Sequence, residues 1–163
     1  MQINTIKQKQ SGYLVNNSIS VPNDSANSDY QAVQEWIAEG GVVEPEFSLD
    51  ELKIKKIAEV KSAREIFQYT NLTVGDYEFT ATKNAKLSFF SKVNGLASTD
   101  YPVDWRLADD ISWVSLSKTE SYALYEAMEA QETSAYRQES VFYGAINTAS
   151  SIEELAAIEI KFV

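Results

Sequence analysis

Hydrophobic residues recur at intervals of three or four positions in several stretches of the chain, which indicates helices with one buried face. Four such stretches are long: residues 28–39, 48–68, 82–95 and 117–148. A fifth, short helix is expected at 151–158. The fourth stretch repeats its seam positions by four and three, which is a heptad spacing.

Capping signals mark the beginnings of these helices. A serine followed three residues later by Gln or Glu has the capping-box spacing, in which each side chain binds the other residue's backbone N–H. The pairs are Ser28–Gln31, Ser48–Glu51, Ser117–Glu120 and Ser151–Glu154. Thr82 or Asn84 can cap the remaining helix.

The middle of the long 117–148 stretch departs from the hydrophobic pattern. Its seam positions are Leu124, Met128, Gln131, Ala135, Gln138, Phe142 and Ala145. Because Gln, Ala and Gln occupy the centre, we expect both ends of this helix to pack and its centre to pack poorly. The helix is expected to pack on the 48–68 helix or on another copy of the chain.

Two stretches alternate polar and hydrophobic residues around a turn and predict β-hairpins. The first runs from Leu72 to Ala81 around Gly75-Asp76, and the second from Tyr101 to Ser117 around Asp109-Asp110. The predicted fold class is therefore α+β, with long antiparallel helices and a small antiparallel sheet built from the two hairpins.

Residues 1–20 alternate weakly and are mostly polar, so they predict strands or an extended N-terminal arm that becomes ordered on a partner. Asn16-Asn17 is the expected turn between the runs. The predicted domains are 1–42, the arm with a short helix, and 43–163, the α+β helical domain with both hairpins. Residues 40–47, GGVVEPEF, are typical of a linker.

Hydrophobic side chains of the N-terminal region are the candidate partner-binding residues. They are Tyr13, Val15, Ile19, Tyr30 and Trp36. Large aromatic residues dominate protein cores as readily as interfaces. The alternative that Tyr30, Trp36, Trp105 and Trp113 are packing residues is therefore left open and is the favoured one.

The acids and amides of VPNDSANSDYQAVQEWIAEGG, residues 21–41, raise the question of a metal-binding loop. An EF-hand loop needs acids at alternate positions, a central glycine and a glutamate at its twelfth position. That spacing is missing, so Asn23, Asp24, Asn27 and Asp29 are interpreted as the turn and cap of a helix. No metal site is expected.

Composition narrows the chemistry further. The 163 residues include neither Cys nor His, which excludes Cys/His zinc sites and nucleophiles activated by histidine. The net charge of −10 argues against nucleic acid and anionic membranes as partners. The polar N-terminus lacks a signal-peptide h-region and no apolar run approaches a membrane span, so a soluble protein is expected.

Carboxylates are the remaining candidates for catalysis. Asp104, Asp109 and Asp110 lie on and beside the turn of the second hairpin and could form a site such as that of glycoside hydrolases. Adjacent acids in a turn generally face water, and no pattern fixes a partner carboxylate. We therefore expect no catalytic residues and no cofactor.

Residues 21–41 resemble the opening segment of many small phage tail-region proteins. The positions that fit are Val21, Pro22, Asp24, Ala26, Asn27, Tyr30, Glu35, Trp36 and Gly40. Gly41 stands where Asn is more common.

The second half is similar to a domain of unknown function found among phage tail-fibre and tail-fibre-assembly genes. The fitting positions are Ala63, Arg64, Tyr77 to Phe79, Trp105, Ala108, Asp109, Val114, Leu116 and Ser117, with the ending SSIEELAAI. Departures are Leu107 for Thr, Asp110 for Asn, and Thr82-Lys83 where an acid and a small polar residue are usual.

The resemblance implies a phage tail protein without a known active site. The function expected is a non-enzymatic virion component at the tail tip, baseplate or fibre attachment, made in the host cytoplasm. Its partners would be other tail or tail-fibre proteins, with a homo-oligomer as a further expectation. A tail-fibre assembly chaperone is the alternative, and a carboxylate-dependent glycan hydrolase is the third hypothesis.

Overall fold

The computed structural model describes residues 2–97 and 99–163 and divides the chain after Leu52. We call residues up to Leu52 unit 1 and Lys53–Val163 unit 2. Helices and short strands alternate in both units, and the predicted α+β class is confirmed. Among the described residues, no helix combines the length and the hydropathy that crossing a bilayer requires.

Unit 1 contains a four-stranded sheet in the order β3-β2-β1-β4 and one helix, α1 (Ser28–Ala38). The strands β1 (Ile6–Lys9), β2 (Gly12–Val15) and β3 (Ile19–Pro22) form an antiparallel meander. β4 (Val43–Glu44) lies parallel to β1, with Ile6 opposite Val43. β4 therefore pairs with the N-terminal strands, although the sequence-based boundary assigned it to the second domain.

Of the two structures predicted for the N-terminal residues, strands are confirmed and the extended arm is wrong, because the chain up to Pro22 supplies three paired strands and part of a core. Ile6, Val15 and Val21 share the inward face of the sheet and are buried together with Val33 of α1. Alternate residues of a strand point to opposite faces, so a few inward hydrophobic positions suffice while the polar residues face outward.

The turn at Asn16-Asn17 is confirmed. Both asparagines adopt the left-handed conformation, with φ of 51° and 58°. Asn tolerates this conformation better than most residues do. The Asn16 side-chain oxygen accepts hydrogen bonds from Asn4 N at 2.8 Å and Thr5 N at 3.2 Å. The same residue thereby closes the β2–β3 turn and holds the chain before β1.

Most residues of unit 2 lie in helices. They are α2 (Leu49–Gln68), α3 (Lys83–Asn94), α4 (Lys118–Thr148) and α5 (Ile152–Ala156). α2 begins within unit 1 and continues through unit 2.

The capping prediction holds for three of the four serines. Reciprocal capping-box bonds join Ser48 to Glu51 and Ser117 to Glu120, and Ser151 caps α5. For α1 the prediction is off by one residue, because the side chain of Asn27 accepts the Asp29 and Tyr30 amides. Thr82 rather than Asn84 caps α3, and α5 ends at Ala156, before the predicted 158.

The two predicted hairpins are confirmed, but they do not form one sheet. Among the described residues, β5 (Leu72–Val74) pairs only with β6 (Tyr77–Phe79), and β7 (Val103–Arg106) pairs only with β8 (Trp113–Leu116). A backbone hydrogen bond from Ala108 N to Glu78 O, at 3.0 Å, connects the two hairpins. Each hairpin buries its hydrophobic face against the helices. That burial holds each hairpin in place without hydrogen-bonded pairing to the strands of the other.

The hydrophobic core of unit 2 is formed by residues from both hairpins, α3 and the first half of α4. Its buried members are Phe79, Phe89, Val93, Leu116, Leu124 and Met128.

α2 and α4 are antiparallel, as predicted. Three side-chain hydrogen bonds connect Lys53 to Asn147, Arg64 to Glu139 and Gln131 to Phe67, so positions on α2 rise as those on α4 fall.

The prediction that the centre of α4 packs poorly is wrong. Ala135 has no exposed surface, and the Gln131 side-chain amide donates to Phe67 O at 3.0 Å and Thr70 O at 2.9 Å. Gln138 makes two hydrogen bonds with the Val163 main chain, at 2.8 and 2.9 Å. At the centre of α4, the two glutamines therefore attach the helix to its neighbours by hydrogen bonds to backbone groups. At the ends, hydrophobic side chains attach it by packing.

Candidate functional site

A cleft of about 560 Å³ lies between the second hairpin, β7–β8, and α3 in unit 2. Its lining combines two tryptophans, hydroxyl and amide side chains, and charges of both signs. The lining residues are Thr80, Thr82, Asn84, Ala85, Ser88, Lys92, Asp104, Trp105, Arg106, Asp110 and Trp113.

The register of β7 and β8 decides which side chains face the core. Trp105 lies opposite Val114, and both pack against the apolar core. The Trp105 ring contacts Phe89 edge-on, with 4.9 Å between ring centroids. Arg106 lies opposite Trp113 and belongs to the other face, so 65% of Trp113 is exposed.

Two cations and two acids line the cleft, and each makes a polar contact there. Lys92 Nζ donates to the Asp104 carbonyl at 3.4 Å and lies 5.8 Å from the centre of the Trp105 ring. Arg106 and Asp110 form an exposed ion pair at 3.2 Å. The Asp104 carboxylate accepts a hydrogen bond from the Ser115 hydroxyl. Such a surface offers aromatic contact and both signs of charge to a ligand.

Asp109 is the third acid of the catalytic hypothesis. Its side chain is hydrogen-bonded within the turn of the second hairpin. Its carboxylate accepts hydrogen bonds from Ile111 N at 3.0 Å, Ser112 N at 2.8 Å and the Ser112 hydroxyl at 2.6 Å. The bond from the Ser112 hydroxyl is the main reason that the pKa of Asp109 lies below its usual value. Asp109 is therefore ionised at neutral pH and holds no proton to donate as a general acid.

The residues of 21–41 that were considered as metal ligands include the turn and the helix cap before α1. Asp24 accepts a hydrogen bond from Ala26 N at 2.9 Å, and Asn27 caps α1. Nowhere in residues 2–97 and 99–163 do three acidic side chains gather as metal ligands.

Lys86 is a buried ionisable residue that the sequence analysis did not single out. Its ammonium donates to Gln68 O at 2.9 Å and Met128 O at 3.3 Å, and burial lowers its pKa. Its spacing from Phe89, Phe90 and Val93 on α3 is the signal that could have revealed it. We interpret Lys86 as a connection between α2, α3 and α4, because both carbonyls belong to helices.

The five candidate partner-binding residues all lie in unit 1. Val15 has no exposed surface, so it cannot contact a partner while the sheet is folded. Tyr13, Tyr30 and Trp36 are partly buried against the core, and the Tyr13 and Tyr30 ring centroids are 6.1 Å apart. Ile19, on the edge strand β3, keeps 40% of its surface exposed and is the most accessible of the five.

An exposed hydrophobic residue of the second hairpin, Ile111, was not singled out by the sequence analysis. Ile111 is 81% exposed and shares the tip of the hairpin with Trp113, for which packing was the favoured interpretation. The interpretation of Trp113 as a packing residue is therefore wrong, whereas Trp105 does pack on the core. The alternation of side chains along a strand could have revealed the exposure of Trp113. Val114 and Leu116 point towards the core, and Trp113 therefore lies on the outer side of the hairpin.

Comparison with known proteins gives one match. The model of a family described as a domain of unknown function, DUF4376, matches residues 51–161. These limits nearly coincide with those of unit 2, 53–163. No curated protein and no solved structure matches the chain.

Proposed function

The chain belongs to the DUF4376 family, whose name assigns no activity, and from that premise we propose that it is a non-enzymatic bacteriophage tail structural protein. It binds neighbouring tail or tail-fibre subunits at the tail tip, baseplate or fibre attachment. The phage context is supported by the resemblance of residues 21–41 and by the order of motifs from Ala63 to Ile158.

The observation that carries a binding function is the surface at the tip of the second hairpin. Ile111 and Trp113 expose most of their area beside the Arg106–Asp110 ion pair and the cleft. Tryptophan and arginine are enriched among the residues that dominate protein–protein binding energies. We call Arg106, Asp110, Ile111 and Trp113 the hairpin-tip surface.

Unit 1 supports the same function through its sheet. β3 is an edge strand of four residues, and Ile19 is exposed on it. An edge strand presents unpaired backbone groups that can accept a strand from another chain. The hairpin-tip surface and this edge are the two places where we expect neighbouring subunits to bind.

Quantitative mass spectrometry of purified phage particles tests the proposal. A structural component should be present at a fixed copy number that is a simple ratio to a tail protein. If particles lack the chain while its co-expression renders the fibre soluble, the assembly chaperone is the correct alternative.

The hairpin-tip surface is tested by replacing both hydrophobic residues, in Ile111→Ser/Trp113→Ser. Because both side chains are exposed, we expect folding to be retained and incorporation into particles to be lost. Val141→Ser, which changes an exposed residue of α4, is the control and should be incorporated normally. Unchanged incorporation of the double variant would exclude this surface.

The enzymatic hypothesis has a separate test. The isolated chain should convert no host surface polysaccharide. Conversion that is abolished by Asp104→Asn or Asp110→Asn would contradict the proposed function.

A further inference from the structure

Three polar side chains of the cleft between α3 and the second hairpin take no part in holding the fold. They are the Thr80 hydroxyl, the Asn84 amide and the Ser88 hydroxyl. Within residues 2–97 and 99–163, no hydrogen bond joins any of the three to another group of the chain. Thr82, in contrast, uses its hydroxyl to cap α3. Unpaired hydroxyl and amide groups that converge on one cleft are available to a bound molecule.

The α3 wall of the cleft is a stripe of polar side chains at helical spacing. Asn84, Ser88 and Lys92 follow one another at intervals of four, so they lie along one side of the helix. Ala85 also lines the cleft, and its small side chain leaves the space beside the stripe open. Phe89 is buried in the core. α3 therefore presents an apolar side to the core and a hydrogen-bonding side to the cleft.

The hairpin wall supplies an aromatic surface and an ion pair. Trp113 is 65% exposed, whereas Trp105 is partly buried and has Lys92 Nζ 5.8 Å from the centre of its ring. The accessible aromatic area of the cleft is therefore mainly that of Trp113. Arg106 and Asp110 pair at 3.2 Å, and more than half of each side chain is exposed. Their remaining N–H groups and carboxylate oxygen can bond to a ligand.

The charges of the lining balance. Lys92 and Arg106 are the cations, and Asp104 and Asp110 are the acids. A phosphate or carboxylate in the cleft would meet both acids, and the chain's net charge of −10 adds to that repulsion. A cationic ligand would meet both cations in the same way. The ligand that suits this lining is uncharged.

An uncharged ligand has to cover the aromatic surface and also bond to the polar groups. A purely apolar molecule would remove the Asn84 amide and the hydroxyls from water without giving them partners, which costs free energy. A saccharide meets both demands. Its ring C–H groups form an apolar face that packs on the negatively polarised face of an aromatic ring. Each of its hydroxyls donates one hydrogen bond and accepts others, so it suits a lining that contains both donors and acceptors.

An extended peptide is a poorer match for the cleft. Such a peptide pairs with the free backbone groups of an edge strand. On β7, the Asp104 carbonyl already accepts a hydrogen bond from Lys92 Nζ at 3.4 Å, and lysine side chains on strand edges oppose pairing. On the opposite wall, α3 uses its backbone groups for its own hydrogen bonds. The groups left for recognition are therefore side chains.

We propose that this cleft is a binding site for an uncharged saccharide. A pyranose ring packs on Trp113, and its hydroxyls bond to Asn84 and Ser88 on one wall. The Arg106–Asp110 pair bonds to further hydroxyls on the other wall. The volume of about 560 Å³ lies within the roughly 300–1,000 Å³ of small-molecule sites. The inference goes beyond the proposed function, requires no reaction and does not depend on the phage context.

The affinity should be low. Sugar hydroxyls exchange hydrogen bonds with water for hydrogen bonds with the protein, and the net gain of each exchange is small. We therefore expect a dissociation constant of about 1 mM for a single sugar unit. A longer saccharide that makes further contacts along the cleft should bind more tightly.

Titration of the full-length chain with methyl glycosides tests the inference. The probes are the methyl glycosides of glucose, galactose, mannose and N-acetylglucosamine, and ligand-observed NMR measures the dissociation constant of each. At least one of them should bind. Saturation transferred from aromatic protons of the chain should reach the C–H groups of one ring face, because that face packs on Trp113.

Variants of the α3 wall locate the binding. Asn84→Ala/Ser88→Ala should weaken it about tenfold, because two hydrogen bonds are lost. Ser91→Ala/Asn94→Ala is the matched control, since it makes the same side-chain changes at exposed positions of α3 that do not line the cleft. This control should bind the glycoside as the wild type does. Circular dichroism checks that both variants fold.

Ile111→Ser separates this inference from the proposed function. Ile111 belongs to the hairpin-tip surface but does not line the cleft, so its replacement should leave glycoside binding unchanged. Incorporation into particles tests the proposed function, whereas glycoside binding is measured on the isolated chain. Either result can therefore fail without the other.

Three results would overturn the inference. The first is that none of the glycosides binds. The second is that a glycoside binds the Asn84→Ala/Ser88→Ala variant as tightly as it binds the control. The third is that the capped tripeptide Ac-Ala-Tyr-Ala-NH2 binds in a way that depends on Asn84 while the glycosides do not, which would assign the cleft to a peptide.

Discussion

The first part of α4 and its centre are held in unit 2 by different kinds of contact. The first part packs Leu124 and Met128 into the apolar core beneath both hairpins. The centre bonds to α2 and to the end of the chain through Gln131, Gln138 and Glu139. Beyond the centre, hydrophobic contacts return with the buried Ile146 and the Phe142–Phe162 ring pair. One helix therefore combines a hydrophobic attachment with a hydrogen-bonded one.

The difference teaches what each kind of contact supplies. Burial of apolar area stabilises the first half with little dependence on direction, so similar hydrophobic residues can replace one another. The centre of α4 depends on particular donors and acceptors, and losing one partner there leaves a buried polar group unsatisfied. Polar contacts thus fix the register of α4 against α2, while apolar contacts supply more of the stability.

Truncation in the apolar core that holds the first part of α4 should have the largest effect. Phe89 is a fully buried ring that contacts Trp105. We expect Phe89→Ala to lower the free energy of unfolding by about 3–5 kcal/mol, which denaturant titration measures. Leu87 occupies an exposed position of the same helix and supplies the control. Leu87→Ala should change the free energy of unfolding by about 0.5 kcal/mol or less. Equal losses at the two positions would contradict the assignment of the core.

A substitution at the centre of α4 should have the second largest effect. Gln131 donates to the Phe67 and Thr70 carbonyls. Gln131→Met keeps the side-chain volume and removes both donors, at a cost of about 1–3 kcal/mol in the free energy of unfolding. Thr133→Met places the same side chain at an exposed site on α4 and controls for helix propensity. If Gln131→Met were stabilising, the centre of α4 would be an unfilled seam as the sequence suggested.

The ion pairs of unit 2 allow a direct comparison of buried and exposed contacts. Arg64 Nε lies 3.0 Å from Glu139, and both side chains are mostly buried. A double-mutant cycle on this pair should give a coupling energy of about 1–2 kcal/mol that salt hardly changes. The Arg106–Asp110 pair is exposed. The same cycle there should give about 0.5 kcal/mol or less and decrease with salt. Equal couplings would contradict the structure.

The smallest effect is expected at the start of α4 and depends on pH. The hydrogen bond with the Ser117 side chain, followed by that with the Ser117 backbone, lowers the pKa of Glu120 below its usual 4.5. Because the folded-state pKa is the lower one, the stabilisation is present above the unfolded-state value and is lost as the pH falls through the folded-state value. Glu120→Gln should therefore reduce the loss of stability between neutral and acid pH.

Thermal unfolding at a series of pH values measures that difference. Glu126→Gln, at an exposed position on the same helix, is the control and should leave the acid dependence close to that of the wild type. A Glu120→Gln profile identical to the wild-type profile would show that the capping box contributes nothing to acid stability.

Local chemistry explains which parts of the fold the sequence could predict. The bounds of α2 and α4 follow from capping residues and from hydrophobic spacing, which act within a few positions. Strands before Pro22 were one of the two alternatives predicted, but the pairing of β4 was missed because it joins Ile6 to Val43, residues that are distant in sequence. Gln131 was misjudged because its acceptors, on Phe67 and Thr70, come from another part of the chain.

The candidate site was predictable only in part. The turn at Asp109-Asp110 was evident, and its acids were expected to face water. The exposure of Trp113 depends on which face of the second hairpin packs on α3 and α4, and that choice is tertiary. The cleft itself requires α3 beside β7, which no spacing in the sequence indicates.

Whether Trp113 is covered in assembled particles tests the central claim, that this chain acts by binding neighbouring subunits. Oxidative footprinting with mass spectrometry compares the reactivity of its indole in the free chain and in purified particles. We predict that Trp113 reacts faster than Trp105 in the free chain and slower than Trp105 in particles. A Trp113 that is equally reactive in both, or particles that contain no copy of the chain, would contradict the claim.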